Sequence, residues 1–446
     1  VIDPEVIVIG GGPAGIAAAI EVAGCGYAVE VVEQRDSLGG AIHRQPIKGV
    51  APISQASGPK ARWRALSDDF ASARIPVRYR SIFLGVDADG LVLFENRLAC
   101  SVERLQAKAV IVATGAVEKV LPRPGWHMAK VSTAGGLQVM MKETGRAPKG
   151  RVLLAGNGPL LIAVTAQMAR LGNPPVAIVE AGDPLGRTGA GFSMLGHMSL
   201  VREAFGYLRT IYLRGIPWMR ASQLTAIERD DTSLIAVVRR ANGREQRIPV
   251  DRIGLHDGIR PNDFALPNEK ATSVAGPVIL RAGDCRESLG AFAAEADGRR
   301  AGRAVAEILS GGHERADLGC VKIERARRAQ EVLSTLFAPV GGACPISSLP
   351  ADTILCRCEG KTVGDLRSLC ERADRLTGRE IKHNGRFAMG LCQGRFCAAN
   401  TAALMAEIWP QAPAPVAEDL TGRRWPIRPV SIAALTGARA TSTEHE

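Results

Sequence analysis

Val6-Ile7-Val8-Ile9-Gly10-Gly11-Gly12-Pro13-Ala14-Gly15, running on to Val31-Val32-Glu33, is the stretch whose reading decides the fold. Four β-branched residues in a row predict a buried strand. A glycine-rich turn follows, then an Ala/Ile-rich helix (Ile16 to Val22) and a second strand (Ala28 to Glu33). This βαβ unit carries G-x-G-x-x-G at Gly10, Gly12 and Gly15, the fingerprint of dinucleotide binding. The three glycines serve the tight turn, the close approach of backbone to a pyrophosphate, and the packing of helix on strand. Pro13 and Ala14 belong to the same candidate turn, and the helix N-terminus offers free N–H groups and a positive dipole end to phosphates. Glu33 ends the second strand, where a carboxylate can accept ribose hydroxyls.

Composition bounds the rest. At 446 residues the chain accommodates two or three domains, and 46% hydrophobic with 23% charged residues is ordinary for a soluble globular protein. Aromatics at 4% are too few for single-strand stacking platforms. The net charge of +11 is spread without long basic runs (Arg299-Arg300, Arg325 to Arg328). It is read as serving phosphate cofactors and an acidic partner surface, with no nucleic acid. No basic leader precedes the first strand, and the most apolar stretch, Leu153 to Ala169, is broken by Gly, Asn, Pro and Gln. With no run of about 18 apolar residues, the expectation is no integral membrane segment. A cytoplasmic protein is expected, peripherally membrane-associated at most through a complex. Ten cysteines, four of them clustered late with metal-like spacing, point to a reducing compartment.

Past Glu33, the doublet Gly39-Gly40 lets backbone run close to the far end of a dinucleotide. Ile47 to Arg80 reads as helix with a short strand, and Phe83 to Asn96 as a hairpin turning at Asp89-Gly90. Ala109-Val110-Ile111-Val112-Ala113-Thr114-Gly115 repeats the strand-into-glycine pattern, as does Val278-Ile279-Leu280-Arg281-Ala282-Gly283-Asp284. Together these motifs resemble the FAD domain of two-dinucleotide-binding flavoproteins. That resemblance implies an α/β fold of nested Rossmann-like domains, with Ala113, Thr114, Gly115, Gly283 and Asp284 beside FAD and Asp284 on the ribityl chain.

An internal echo lies between the last two strands. Val152-Leu153-Leu154-Ala155-Gly156-Asn157-Gly158-Pro159 with Val176 to Glu180 makes a second strand–turn–helix–strand, and a hairpin turns at Asn242-Gly243. Gly258 to Asn262 resembles the return crossing of the same flavoproteins. Gly156, Gly158 and Glu180 are candidates for a second nucleotide. Leu161 occupies the third-glycine position and would crowd a pyrophosphate, so NAD(P) there is doubtful and a vestigial domain or another nucleotide equally open. Thiol–disulfide chemistry is disfavoured, because neither Gly39 to Lys48 nor Ala134 to Glu143 holds a cysteine pair, and Cys285 is single. His43 is read as a packing or surface histidine.

The cysteine quartet is the second decisive feature. Cys356 and Cys358 form C-x-C, 33 residues intervene, and Cys392 and Cys397 form C-x4-C. Four thiolates complete an all-cysteine metal site, and ligand loops at helix N-termini present N–H groups to sulfur. Thr362 is read as the cap of one such helix, and Cys397 opens another (Ala398 to Ile408). Zinc is the competing metal, but zinc knuckles usually use C-x2-C, and a flavin neighbour suits a [2Fe–2S] cluster. Cys370 is assigned to the core.

The module resembles bacterioferritin-associated-ferredoxin-like [2Fe–2S] domains. Gly390-Leu391-Cys392-Gln393-Gly394-Arg395-Phe396-Cys397, Arg123-Pro124-Gly125-Trp126, Thr133-Ala134-Gly135-Gly136 and the Trp425 to Val430 tail sharpen the likeness. Across the whole chain they resemble the larger flavin/iron–sulfur subunits of hetero-oligomeric amine and imino-acid dehydrogenases. These are the opine oxidase A subunits, the D-hydroxyproline dehydrogenase α subunits and the matching hydrogen cyanide synthase subunits.

The resemblance implies an electron-transfer subunit. Its partner would be a smaller FAD-dependent amine-oxidising subunit that does the C–N oxidation, with FMN at the interface and possible addition of a further small subunit. No catalytic residue is expected in this chain. Opine cleavage is the preferred substrate reading, with D-hydroxyproline or proline oxidation and cyanide formation as alternatives. A stand-alone NAD(P)H-dependent ferredoxin-type reductase, or a scaffold with a zinc module, competes from other classes. The expected organisation is an FAD domain (1–120 and 256–312), an inserted domain (121–255), a linker (313–350), a [2Fe–2S] domain (351–410) and a tail (411–446).

Overall fold

The computed structural model describes residues 4–53, 57–87, 89–266, 269, 276–312, 320–342, 344–371, 375–413, 415–422 and 426–437. Five parallel strands form the first sheet, in the spatial order Val278–Arg281, Ala109–Val112, Val6–Ile9, Val29–Val32, Val77–Arg78. Its β-branched residues serve both faces, as a doubly covered parallel sheet requires. Val6, Val8, Val29, Val31, Ile111 and Leu280 pack on the helix side. Ile7, Ile9, Val32, Val110, Val112 and Ile279 pack against Phe83, Val86, Val92 and Phe94 of an antiparallel sheet. That second layer has three strands, Ser81–Val86, Leu91–Asn96 and Ser101–Gln106. The sequence pattern shows the hairpin but not its third member, whose residues are too polar and exposed to mark a core.

Helix Pro13–Gly24 lies against helix Ala291–Leu309 at the closest spacing backbone allows. A Cβ on Gly298 would stand 2.1 Å from Ala14 O, and one on Gly302 2.6 Å from Ala18 O. The closing helix spans Ala291–Leu309, so both glycines lie in its interior.

The inserted unit repeats the plan. Its parallel sheet runs Trp218–Met219, Ala177–Glu180, Val152–Gly156, Arg252–His256, Val131–Thr133. A meander of Gln223–Asp230, Ser233–Arg239 and Glu245–Val250 covers one face, turning near Asn242-Gly243. The two crossings between units, Ala116–Glu118 and Ile259–Pro261, pair antiparallel. Helix Val321–Leu336, within the expected linker, seals this domain: Leu336 and Phe337 enter its core.

The cysteine-bearing module has its own core of Leu355, Val363, Leu366, Cys370, Ile381, Phe387, Leu404 and Leu420. A short ribbon (Ile354–Cys356, Lys361–Thr362) and the helices Val363–Glu371, Gly378–Gly385 and Ala398–Ile408 surround it. The tail then returns to the flavin-side meander: Ile427 N donates to Leu84 O at 2.7 Å and its side chain joins that core. Trp425 of the tail motif lies outside the described residues. Among the described residues no helix is long and apolar enough to cross a membrane.

Candidate functional site

The sequence-predicted FAD residues converge at the carboxyl ends of the first sheet. Gly10 (φ +105°) brings its Cα so near the neighbouring strand that a Cβ would lie 2.5 Å from Ala113 O. At Gly15 a Cβ would be 1.8 Å from Gly10 O, which fixes the third glycine by backbone contact. Gly12 ends the turn as the cap residue of helix Pro13–Gly24, and Gly40 stands against it, its would-be Cβ 3.2 Å from Gly12 Cα. Gly39 N donates to Gly11 O at 2.8 Å, so the doublet closes over the turn. Gly283 (φ +66°) packs on Ala14. A turn lined by backbone, packed too closely at Gly10 and Gly15 to admit a Cβ, suits a dinucleotide pyrophosphate.

Polar groups orient the two ends. Glu33 is buried and accepts N–H bonds from Gly11 (2.7 Å) and Arg35 (2.9 Å), which fixes its carboxylate at the strand end. Asp284 accepts from Leu289 N and Gly290 N, both at 3.0 Å, while burial holds its pKa above the usual carboxylate range. Thr114 Oγ1 bonds Asn262 O (2.8 Å) and lies 3.1 Å from Cys285 Sγ. Gly115 (φ +76°) accepts from Asn262 N at 3.0 Å. Cys285 is fully buried, and burial pushes its thiol pKa up, so it packs beside the site as an inert thiol.

Several contributors carried no sequence signal. Gly11 packs under Leu38, whose Cδ2 would lie 2.4 Å from a Cβ there and would have to shift. Lys142, from the inserted domain, donates to Ala41 O (3.1 Å) and Ile42 O (3.0 Å) and so pins the loop that carries Gly39 and Gly40. Burial lowers its pKa to about 8. His43 stacks on Trp63 with ring centroids 4.8 Å apart and is buried, a packing position.

The inserted domain's turn is built differently. Gly156 (φ +140°) abuts His256, where a Cβ would sit 1.9 Å from the carbonyl oxygen. Glu180 is wholly buried, its Oε1 accepting from Gly158 N at 3.2 Å, and desolvation raises its pKa to about 8. His256 Nδ1 is 3.0 Å from Glu118 Oε1, and the ring borders Gly158. Leu161 is fully buried within the core, so the departure from the third glycine changes the packing of helix on sheet.

The four cysteines come together across two loops. Cys397 hydrogen-bonds both Cys356 and Cys392, and Cys392 also contacts Cys358. The bond from Cys397 lowers Cys356 to about 6 against the opposing effect of burial, helped by the N–H groups of Glu359 and Ala388. The same partner lowers Cys392 to about 5, with Phe396 N and Gly394 N adding to it. Cys397 itself is pushed up by its bonds to Cys356 and Cys392 and by burial, and Cys358 is raised by burial. Gly390 leaves room for the loop: a Cβ there would lie 2.4 Å from Cys358 Cβ. Thr362 Oγ1 accepts from Asp365 N at 3.0 Å, capping the helix as its position predicts.

Among the described residues no group of three or more His, Cys, Asp or Glu side chains is arranged so as to hold a metal ion. A [2Fe–2S] cluster divides four thiolates between two irons. Neighbouring thiols with backbone N–H groups aimed at sulfur are a donor set that fits it.

Residues 4–277 match the model of the pyridine nucleotide-disulphide oxidoreductases. The chain belongs to this family. It is an oxidoreductase and a flavoprotein. The opine oxidase A subunit of Rhizobium meliloti is 30% identical, the match covering 97% of this chain and 87% of that protein. The hydrogen cyanide synthase subunit HcnB of Pseudomonas aeruginosa is 28% identical over 88% and 90%. Among solved structures, L-proline dehydrogenase from P. horikoshii superposes with a TM-score of 0.65 at 18% identity, covering 97% of this chain and 79% of that one. Unlike what the family's name suggests, this member has no cysteine in residues 39–48 or 134–143.

Proposed function

We propose that this chain is the FAD- and [2Fe–2S]-carrying electron-transfer subunit of a hetero-oligomeric amine dehydrogenase, acting on CH–NH donors and most directly on opines. The observation that carries the reading is the four-thiol constellation held against a flavoprotein core. Gly10, Gly12, Pro13, Ala14, Gly15, Glu33, Gly39, Gly40, Ala113, Thr114, Gly115, Gly283 and Asp284 would hold FAD. Cys356, Cys358, Cys392 and Cys397 would hold the cluster. Flavin handles electron pairs and the cluster single electrons, and that conversion is what such a subunit supplies. The chain's own groups bind, orient and exclude water: the glycine cradle seats the pyrophosphate, Glu33 the ribose, and Asp284 the ribityl chain.

C–N oxidation is assigned to a smaller FAD-dependent partner, with FMN at the interface; the names of the relatives, subunits of opine oxidase and of cyanide synthase, support that division. The inserted domain is assigned no nicotinamide, because a wholly buried, protonated Glu180 is a poor acceptor for a ribose diol. Co-expression with the smaller flavoprotein subunit tests this, followed by dye reduction over opines, D-amino acids, hydroxyproline, proline and glycine. Amine-dependent reduction is expected only when both chains are present. Amine turnover by this chain alone would contradict the assignment.

A further inference from the structure

The flavin site and the cysteine loop are joined by one short peptide. Residues 260–264 begin in the second crossing strand, Ile259–Pro261, and run on between the two sites. On the flavin side, Asn262 makes three bonds to the end of the Ala109–Val112 strand. Its N–H donates to Gly115 O (3.0 Å), its Nδ2 to Thr114 O (3.2 Å), and its own O accepts from Thr114 Oγ1 (2.8 Å). On the cysteine side, Arg260 Nη2 donates to Arg395 O at 2.6 Å. The Arg395 guanidinium lies over the Phe264 ring at 4.8 Å and donates to Cys392 O at 3.3 Å and to Ile427 O. Arg395 sits between Cys392 and Cys397, so these bonds grip the loop itself.

Two further bonds fix the module's orientation. Trp126 Nε1 donates to Ile354 O at 2.6 Å, two residues before Cys356, and buried Asn400 Nδ2 donates to Val120 O at 2.9 Å, three residues after Cys397. All three contacts meet elements that carry cysteines. A module tethered only by a flexible linker would show none of them.

We propose that residues 260–264 with Arg395 hold the cysteine loop in fixed contact with the flavin strand ends, and that Arg260 is a positioning residue for electron exchange between the two sites. This rests on the function proposed above. With both groups bound, the exchange would be one electron at a time: one of the reduced flavin's two electrons would turn one ferric iron ferrous, and any proton released with it would pass to water. The physiological reductant is the amine substrate class. Because electron exchange falls steeply with separation, loss of one grip slows it while leaving each site's own ligands in place.

The test uses the purified full chain, Arg260→Met, Phe264→Leu and Arg260→Lys, with photoreduced deazaflavin as electron source. Iron content, flavin content and the separate spectra are expected to match wild type in every variant. Cluster reduction through the flavin should slow at least tenfold in Arg260→Met and in Phe264→Leu. Hydrogen exchange of residues 389–397 should rise in the same two, and Arg260→Lys should restore most of the rate. Wild-type rates and exchange in both Arg260→Met and Phe264→Leu, with iron retained, would overturn this proposal alone. A wild-type chain without iron would remove the parent reading and this proposal with it.

Discussion

Single residues decide which chemistry each site permits. At Gly15 the would-be Cβ meets a backbone oxygen at 1.8 Å, an atom that cannot swing aside. Gly15→Ala is therefore expected to lose bound flavin, read as loss of its visible absorbance on gel filtration. Glu180, like Glu33, stands at the end of a second strand and is buried. Its carboxyl is held protonated by burial, with a folded pKa of about 8 against an unfolded value of 4.5. A raised folded pKa contributes stability that is present below about 4.5 and lost as pH rises toward 8. Replacing it by Gln should remove that loss, so the variant gains melting temperature relative to wild type between pH 5 and 8. An unchanged difference across that range would mean Glu180 is ionised after all. The sequence named Glu180 as a candidate acid from its position alone, and burial, which position does not encode, altered its meaning. Gly10, Gly12 and Gly15 were legible because the strand–turn–helix motif places them at a fixed spacing; Lys142 was not, because it acts from a distant segment on the loop of Ala41 and Ile42.

At the scale of elements, the helix pair Pro13–Gly24 and Ala291–Leu309 carries the flavin domain. Gly298→Ala forces a Cβ onto Ala14 O and should destabilise by about 1–3 kcal/mol, the usual cost of overpacking. Gly206, on helix Met198–Leu213, has nothing within 4 Å of its would-be Cβ, so Gly206→Ala should stabilise by about 0.5–1 kcal/mol. Urea denaturation of the two variants checks both signs. Thr377 and Glu380 form a reciprocal capping box on helix Gly378–Gly385, and Thr377→Ala should cost about 1 kcal/mol, confined to the cysteine module. Strong strands with continuous β-branched runs were readable. Ser101–Gln106 and Gln223–Asp230 were not, because edge strands of a half-exposed meander alternate weakly and depend on partners for their pairing.

Across the whole molecule, two nested Rossmann-like units and a cysteine module share one frame. Motif spacing marked out the Rossmann-like sheets and the four cysteines. It gave no hint of how they meet, since Trp126 and Ile354 are 228 residues apart in sequence and Asn400 and Val120 are 280 apart. Nor did it show that helix Val321–Leu336 closes the inserted domain, because a basic amphipathic stretch looks alike in a linker and on a surface. The central claim is that this frame joins a flavin to an iron–sulfur cluster, and stoichiometry tests it most directly. Anaerobically purified chain should contain one FAD, two irons and two acid-labile sulfides per polypeptide. One zinc per chain without iron or labile sulfide, or no metal at all, would contradict it.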